Sequence, residues 1–431
     1  MNDELTGAIE RAPSGTAYGP LDRALRTRLL QQMSALRDCR LRLVDALGEV
    51  VLGIAAAHDD ATLHATVHVF DAAFYRQVAA NGSVGAGEAY MDGHWRCDDP
   101  VALMRMLVRN RDLLDAMETG LARLGGWAMR AWHALQRNTR HGSRRNIAAH
   151  YDLGNDFFRL FLDDNLMYSS ALYTRADDTL ETASTRKLER ICEKLQLCEG
   201  DRVVEIGSGW GGLAIHAARR HGCHVTTTTI SREQFDLARE RVQAAGLADR
   251  VEVLLRDYRD LDGRFNKLVS IEMIEAIGHQ YLDSYFGKVG SLLEPDGMAL
   301  IQAITIEDHR YTQALRAVDF IKRYIFPGSF IPSVSAILGA AARASDLKLF
   351  HLEDIGPSYA RTLAAWRERF HAHSSQVRAL GYDERFLRMW DFYLAYCEAG
   401  FRERSTGDVQ MLLVKPGCRR AQFIPEAGVT A

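Results

Sequence analysis

The chain has 431 residues, of which 47% are hydrophobic and 25% are charged, and its formal net charge at pH 7 is −3. These fractions are typical of a folded globular protein with length for two or three domains, so a wholly disordered chain is excluded. The slightly acidic balance also argues against nucleic acid as a partner.

The first 120 residues predict a flexible tail and then a small α+β domain. Residues 1–20 carry Gly, Pro, Ser and charges without periodicity, which is typical of a frayed terminus. Over residues 21–120 the spacing alternates between helix and strand, with glycine-rich and turn-forming residues over 81–97. Helices are predicted at 21–33, 74–79 and 100–110, and strands at 42–47, 50–56 and 62–70.

Residues 121–146 form a basic segment without a single acid. One interpretation is a solvated linker helix. The other is a basic, aromatic-bearing surface that docks on anionic lipid headgroups. The segment contains Arg123, Arg130, Arg137, Arg140, Arg144 and Arg145, together with Trp127 and Trp132.

From residue 147 to residue 431 the pattern alternates strand and helix. Five βα units followed by a late strand pair predict an α/β fold with a doubly wound, Rossmann-like parallel sheet. Ser231 and Gln234 predict the start of a helix. The strands are predicted at 202–206, 224–230, 251–255, 267–272, 298–304, 348–354 and 410–415, and the helices at 179–195, 232–245 and 281–293.

The seven cysteines form no pair or Cys/His cluster at zinc-ligand spacing. We therefore expect reduced thiols in a cytoplasmic protein and no metal site. No apolar run approaches the length that crosses a bilayer, so at most a contact with a membrane surface is expected.

Residues 203–212 read VVEIGSGWGG, a strand that enters a glycine turn before a helix. Such a turn brings backbone N–H groups close to a nucleotide-like ligand, with Glu205 at the end of the strand. Gly207, Gly209 and Gly212 satisfy G-x-G-x-x-G, which alone is weak evidence for a nicotinamide dinucleotide. The second strand ends in residues 226–231 without an acid, so that cofactor is disfavoured.

Longer motifs make the chain resemble the cyclopropane-fatty-acid synthase family, S-adenosylmethionine-dependent enzymes that act on unsaturated acyl chains. The resemblance is strong over residues 147–416. It is weak in the first domain, where GEAYMDG (87–93) matches and the bacterial synthases have a small lipid-binding domain. The strong motifs are HYDLGNDFF (150–158), MYSSALY (167–173), EIGSGWGG (205–212), TISREQ (229–234), SIEMIEAIGH (270–279), YIFPG (324–328) and YLAYCEAGFR (393–402).

The resemblance implies a methyltransferase sheet with S-adenosylmethionine as its cofactor. The helix that follows the glycine turn suits the cofactor's carboxylate, and Tyr258 can stack on the adenine edge. Arg259 stands where some relatives have an acid. The implied cofactor contacts are Tyr168, Ser169, Glu205, Ile206, Gly207, Gly209, Gly211, Thr229, Ile230, Gln234, Asp257 and Tyr258.

Methyl transfer to a cis double bond leaves a carbocation, and a base must then remove a proton to close the ring. Such a site needs a dry pocket and a well-placed weak base. Family members are understood to hold bicarbonate as that base. The matching positions here are Ser170, Glu275, Gln302, Ile304 and Tyr393.

Two members of this set depart from the family, since Ser170 replaces a cysteine and Gln302 replaces a histidine. Ala276 also stands where the family usually has a histidine. Serine and glutamine still donate hydrogen bonds to an anion, so bicarbonate stays an open alternative.

The resemblance makes Glu275, Tyr393 and Cys397 the catalytic candidates. Glu275 follows a strand and has apolar neighbours in the sequence, which is unusual for a surface carboxylate. Tyr393 and Cys397 are four residues apart and share a helix face. Because methyl transfer to carbon needs no thiol nucleophile, Cys397 is interpreted as part of the pocket wall.

The expected function is transfer of a methylene group from S-adenosylmethionine to a cis double bond of an unsaturated phospholipid acyl chain. The alternative product is a methylene- or methyl-branched chain. We expect contact with an anionic membrane surface at the inner face of the membrane, and a homodimer is an open alternative. The apolar insertion near residues 305–345 predicts a cap on the sheet, the wall of an acyl tunnel, or both. The rival hypotheses are a small-molecule methyltransferase and a non-catalytic lipid-binding protein.

Overall fold

The computed structural model describes residues 18–58, 61–112 and 153–421. The predicted basic segment 121–146 and most of the predicted tail 1–20 lie outside these residues. The strands are β1 (Cys39–Asp45), β2 (Gly48–Leu52), β3 (Leu63–Val69), β4 (Trp95–Cys97), β5 (Arg202–Ile206), β6 (His224–Thr229), β7 (Val251–Leu255), β8 (Phe265–Ile271), β9 (Leu293–Ile306), β10 (Lys348–Asp354) and β11 (Thr406–Val414). The α-helices are α1 (Pro20–Met33), α2 (Ala73–Met91), α3 (Pro100–Arg109), α4 (Asn155–Arg159), α5 (Leu180–Leu195), α6 (Gly212–His221), α7 (Arg232–Ala244), α8 (Leu282–Leu292), α9 (Tyr311–Arg316), α10 (Val334–Ala344), α11 (Gly356–Ala372), α12 (Ser374–Ala379) and α13 (Glu384–Arg402).

The N-terminal unit has a four-stranded sheet in the order β2-β1-β3-β4, flanked by α1, α2 and α3. The three predicted strands and the first and third predicted helices are confirmed. The prediction of turns over 81–97 is wrong for residues 81–91, because α2 continues to Met91 with a break at Gly82, and it is confirmed at residues 92–94, which turn before β4. A Cβ at Gly87 would lie 2.4 Å from the Phe320 ring, so this glycine permits close packing rather than a turn. The short strand β4, which pairs with β3, was not predicted from the sequence.

The second sheet has seven strands in the order β10-β11-β9-β8-β5-β6-β7. Six of them run parallel and β11 runs antiparallel to both of its neighbours. The predicted doubly wound α/β sheet and its late strand pair are therefore confirmed. From β5 the chain first proceeds outward to β6 and β7, and then returns to β8 on the other side of β5. Ligands of such sheets bind at this switch point, outside the carboxyl ends of the strands.

The N-terminal unit packs against α13, which the chain forms shortly before the last strand. Tyr90 Oη donates a 2.7 Å hydrogen bond to Asp391, and Arg105 and Arg109 both pair with Glu403 at 2.6 and 2.8 Å. The Tyr90 ring lies 5.5 Å from Phe392. Buried side chains of both units form one continuous hydrophobic cluster. The same helix therefore anchors the N-terminal unit and, as described below, contributes to the central cavity.

Within the described ranges, no helix has both the length and the apolar character that a bilayer crossing requires.

Candidate active site

A cavity of about 370 Å³ lies at the carboxyl ends of β5, β6, β8 and β9. It extends from the glycine turn after β5 to α13 and the segment between β9 and α10. Its volume is in the range of small-molecule sites, and its position is the switch point of the sheet.

The turn after β5 has the backbone that the glycines predict. Gly207, Gly209 and Gly211 have φ angles of 96°, 49° and 83°, which side chains with a Cβ rarely adopt. The N–H groups of Gly207 and Ser208 donate to the Thr228 carbonyl at 3.0 and 2.9 Å. Nothing lies within 4 Å of a Cβ built on Gly209. The turn therefore leaves open space beside backbone at the sheet edge, which fits a cofactor that approaches the glycines closely.

Two buried polar side chains close the walls beside this turn. Glu205 accepts a 2.5 Å hydrogen bond from Thr227 Oγ1, and burial raises the pKa of its carboxyl to about 8. Thr229 Oγ1 donates to Gln234 Oε1 at 2.8 Å, so the amide is held at the end of β6. The Ser231 hydroxyl accepts from the Gln234 N–H and caps α7, as predicted.

Asp257, Tyr258 and Arg259 form the adjoining wall. Arg259 is held by Asp257, with a 2.6 Å contact between guanidinium and carboxylate, and this hydrogen bond raises the pKa of Arg259. The Tyr258 ring packs edge to face on Tyr285, with centroids 5.6 Å apart, and the Arg259 guanidinium lies 5.7 Å from the Tyr258 centroid. Tyr258 is therefore a fixed part of the cavity wall, as the adenine-stacking expectation requires.

Tyr168 and Ser169 precede the glycine turn by forty residues but lie in the same cavity. The hydroxyl oxygens of Tyr168 and Tyr393 are 2.9 Å apart, and the Tyr168 ring lies 5.3 Å from Trp366. Lys187 is completely buried, donates to Ser169 Oγ at 2.8 Å, and has its pKa lowered by burial. The predicted cofactor and catalytic sides of the pocket therefore meet at these hydroxyl groups.

Two glutamates follow β8 at the same edge of the sheet. Glu275 Oε1 accepts a 2.6 Å hydrogen bond from the Ile304 N–H, whereas Oε2 is buried without a hydrogen-bond partner among the described residues. Burial and then the charge of Glu272 raise the pKa of Glu275 to about 8. Glu272 accepts hydrogen bonds from Ser170, Gln302 and Tyr359.

Glu272 was not among the residues predicted from the sequence. Its available signal was its position, directly after a strand whose carboxyl end lies beside the end of β5. Its φ of 46° is unusual for a side chain of this size and marks the site in the structure.

Of the five positions predicted for an anion, Glu275, Ile304 and Tyr393 line the cavity, whereas Ser170 and Gln302 are buried outside its lining and contact Glu272. The donors of this set already have protein acceptors. Ser170 Oγ donates to the Ala171 carbonyl at 2.9 Å, and the Ser170 N–H donates to Glu272 Oε1. Gln302 Nε2 lies 2.9 Å from both Glu272 Oε1 and Asp408 Oδ2. The Ile304 N–H donates to Glu275, and the Tyr393 hydroxyl pairs with Tyr168.

Cys397 and the inserted segment complete the apolar part of the cavity. Burial and then Asp319 raise the pKa of the Cys397 thiol far above its usual range, so the thiol is protonated. The insertion contributes α9, a π-helical turn (Ile321–Ile325) and α10. Ile321 and Phe326 line the cavity, while Phe320 packs against the N-terminal unit. The inserted segment therefore acts both as a cap and as a cavity wall.

Away from this cavity, α5 and α6 bring Cys192, His216 and His221 together, with ligand atoms within 4.8 Å of one another. Sequence spacing does not reveal this cluster, because the two helices meet only in the fold. A Glu189 carboxylate oxygen lies 2.9 Å from His216 Nε2, and the other lies 3.1 Å from His221 Nε2.

Comparison with known proteins places this geometry in context. The family profile described as "Mycolic acid cyclopropane synthetase" matches residues 138–411. The chain is 37% identical over 418 residues to tuberculostearic acid methyltransferase UfaA1 of Mycobacterium tuberculosis, with 95% of each chain covered. It is 38% identical over 349 residues to the cyclopropane-fatty-acyl-phospholipid synthase of Escherichia coli, covering 80% of this chain and 86% of the relative. A solved structure of mycolic acid cyclopropane synthase CmaA1 with SAH and CTAB superposes with a TM-score of 0.59 at 30% identity, covering 63% of this chain and 98% of the other.

Proposed function

The chain belongs to the mycolic acid cyclopropane synthetase family of S-adenosylmethionine-dependent methyltransferases, and on that premise we propose that it acts on phospholipids. It transfers a methylene group to a cis double bond of an unsaturated acyl chain and forms a cyclopropane fatty acid. The observation that carries this proposal is one continuous cavity with a polar half at the glycine turn and an apolar half at α13 and the inserted segment.

The polar half fits S-adenosylmethionine. Gly207 and Gly209 give close access to the backbone, Glu205 and Gln234 present oxygens, and Tyr258 offers an aromatic face. When bound, this cofactor supplies an electrophilic methyl group on a sulfonium. The protein holds the reacting groups together and excludes water, which strengthens every electrostatic interaction in the site.

The apolar half fits an acyl chain. Ile304, Ile321, Phe326 and Leu363 line it with carbon atoms, so an alkene can lie against apolar side chains. Glu275 and Tyr393 lie in its wall, where the carboxyl oxygens of Glu275 and the aromatic face of Tyr393 stabilise positive charge on the chain. A non-catalytic lipid-binding protein has no need for this arrangement.

A branched product is the second candidate. Two observations favour it: the relative covered over 95% of its length is named for methylation rather than for ring formation, and Ser170 and Gln302 replace the family's cysteine and histidine. The cation formed by methyl transfer then loses a different proton, and a branched chain replaces the ring.

Product analysis decides between the two candidates. The chain is expressed in a host that makes unsaturated phospholipids but no cyclopropane fatty acids, and the fatty acids are measured by gas chromatography and mass spectrometry. Both products gain one CH₂ group. Mild hydrogenation leaves the ring intact and reduces the methylene branch. Unaltered lipid in the presence of folded, cofactor-binding protein would refute both candidates.

The finer setting of the reaction is also part of the proposal. The substrate is reached at the inner membrane surface, where the basic segment 121–146 and the N-terminal unit contact anionic headgroups. Sedimentation with vesicles of anionic or neutral phospholipid tests this, with salt-sensitive binding to anionic vesicles expected. Equal absence of binding to both kinds would favour a small-molecule methyltransferase.

A further inference from the structure

Three hydrogen-bond donors from separate parts of the chain converge on the side chain of Glu272. The Ser170 N–H and Gln302 Nε2 both donate to Oε1 at 2.9 Å, and Tyr359 Oη donates to Oε2 at 2.7 Å. The donors come from the loop before α5, from β9 and from α11. Donors that approach a carboxylate from three directions fix its orientation and favour its ionised form.

The backbone at this position shows that the arrangement has a cost. Glu272 has a φ of 46°, in the left-handed region that favours glycine. Its own N–H donates to the Gln302 carbonyl at 2.8 Å, so the strained residue is fastened to β9 by both main chain and side chain. Strain of this kind persists where the surrounding structure holds it and is concentrated at functional sites.

Glu272 uses the donors that a bound inorganic anion would need. Ser170 and Gln302 belong to the five positions matched above to a bicarbonate site, and both donate to Glu272 Oε1. The Ile304 N–H, a third member of that set, donates to Glu275. A free anion at this place would have to displace a carboxylate that the chain itself supplies.

The surrounding charges suit one ionised carboxylate at this position. Burial raises the pKa of Glu272, and the hydrogen bonds from Ser170, Tyr359 and Gln302 together with the charge of buried Lys187 oppose that rise. Burial and then the charge of Glu272 raise the pKa of Asp408 well above its usual range, which favours the neutral form of Asp408. Glu275 is also protonated at neutral pH, because its pKa is raised to about 8.

We propose that Glu272 is the proton acceptor of the reaction, a carboxylate built into the chain in place of a dissociable anion. The inference rests on the proposed function. The methyl carbon bonds to one alkene carbon as its bond to sulfur breaks, and that electron pair stays on sulfur. Glu272 then takes one proton from the resulting cation. The electron pair of the broken C–H bond forms the ring bond or the new double bond, and the proton later passes to solvent.

Two substitutions at this position separate a base from a structural hydrogen-bond acceptor. Glu272→Gln keeps the size of the side chain and one acceptor oxygen but removes the base. Glu272→Gly suits the left-handed backbone and leaves the donors of Ser170, Gln302 and Tyr359 facing an opening. Glu199→Gly is the matched control, because the Glu199 side chain is 81% exposed.

The first measurement is turnover on unsaturated vesicles, with cofactor affinity measured by calorimetry. Wild type is expected to be equally active in carbonate-free buffer and with added bicarbonate. Glu272→Gln is expected to lose activity by about 100-fold or more while cofactor affinity changes little. Glu272→Gly is expected to regain activity when bicarbonate is added. Bicarbonate-dependent wild type, or near-normal turnover of Glu272→Gln, would overturn the inference.

The second measurement does not require turnover. The line width of ¹³C-bicarbonate is followed by NMR as wild type, Glu272→Gly or Glu199→Gly is added. Broadening by Glu272→Gly alone supports the inference, and equal broadening by wild type overturns it. A wild type that binds the cofactor but alters no unsaturated lipid would refute the proposed function, and this comparison would still decide whether Glu272 fills the anion site.

Discussion

The hydroxyl oxygens of Tyr168 and Tyr393 lie 2.9 Å apart and join the loop before α5 to α13. Tyr168 lies among the expected cofactor contacts, whereas Tyr393 projects from the helix that anchors the N-terminal unit. This contact therefore connects the two halves of the cavity. Its removal is expected to affect catalysis more than folding.

We expect Tyr393→Phe to lower turnover by about tenfold, since one hydrogen bond in a preorganised site contributes on the order of 1 kcal/mol. The ring and its packing are kept, so the melting temperature should change little. Steady-state kinetics on unsaturated vesicles give the measurement. Tyr168→Phe is the matched control, because it removes the same contact from the other side. If Tyr168→Phe lowered turnover and Tyr393→Phe did not, the role assigned to Tyr393 would be wrong.

Glu275 makes the stability of the protein depend on pH. Its pKa is about 8 in the folded protein against 4.5 for an unperturbed glutamate, so the folded state binds more protons between these values. The free energy of unfolding therefore falls as pH rises from about 5 to 8, by up to about 1.4 kcal/mol per pH unit for this group. Urea denaturation at several pH values should show a flatter dependence for Glu275→Gln. Glu205 has a similar pKa, so part of the pH dependence of the free energy of unfolding should remain in this variant. Parallel curves for wild type and variant would contradict this prediction.

The same substitution tests the catalytic role of Glu275. An amide neither takes up nor releases a proton, whereas the Glu275 carboxyl group, with a pKa of about 8, can ionise beside a developing cation. Turnover of Glu275→Gln is therefore expected to fall by about 100-fold. Cofactor affinity, measured by calorimetry, should persist because Glu205, Gln234 and Tyr258 are unchanged. Near-normal turnover would show that Glu275 takes no part in stabilising the cation.

Gly87→Ala tests the contact between the N-terminal unit and the inserted segment. A Cβ at this position would lie 2.4 Å from the Phe320 ring and 3.2 Å from the Phe392 ring. We expect a loss of about 1–3 kcal/mol in stability, as for other overpacked sites. Gly200→Ala is the control, because nothing lies within 4 Å of its Cβ. Thermal unfolding gives the measurement. Equal melting temperatures for the two variants would show that the contact with Phe320 accommodates the added methyl group without loss of stability.

Cys397→Ala is expected to keep turnover within a factor of about three of wild type, because a protonated thiol is a poor nucleophile. The pKa of Cys397 is raised by its burial, so alkylating reagents should react slowly with this thiol at neutral pH. Mass spectrometry after brief exposure to iodoacetamide checks this, with exposed Cys198 as the internal reference. A loss of activity by orders of magnitude in Cys397→Ala would restore a catalytic role.

Local sequence patterns were sufficient to predict the seven-stranded sheet and the glycine turn after β5. β5 and β8 are short runs rich in apolar residues, β6 is rich in β-branched residues, and the glycines at 207 and 209 permit the positive φ angles that the turn requires. Two features depended on contacts between distant residues instead. Glycine is required at position 87 because the Phe320 ring, more than two hundred residues later in the chain, packs against it. The sequence does not show this contact, so a turn was predicted where α2 continues.

Glu272 shows the same limit for the candidate site. Its hydrogen-bond donors are Ser170, Gln302 and Tyr359, which precede or follow it by at least thirty residues. Motif comparison grouped Ser170, Gln302, Ile304 and Glu275, and hydrogen bonds at Glu272 and Glu275 join these residues in the structure. It could not show that a carboxylate from the end of β8 already lies between them.

The left-handed backbone at position 272 also has an evolutionary consequence. Glycine adopts this conformation without strain, and every glutamate codon becomes a glycine codon through a single base change. A single mutation in an ancestor could therefore replace the Glu272 carboxylate with a site for dissolved bicarbonate, with the rest of the fold intact. Dependence on dissolved carbon dioxide would then be a trait that lineages gain or lose easily.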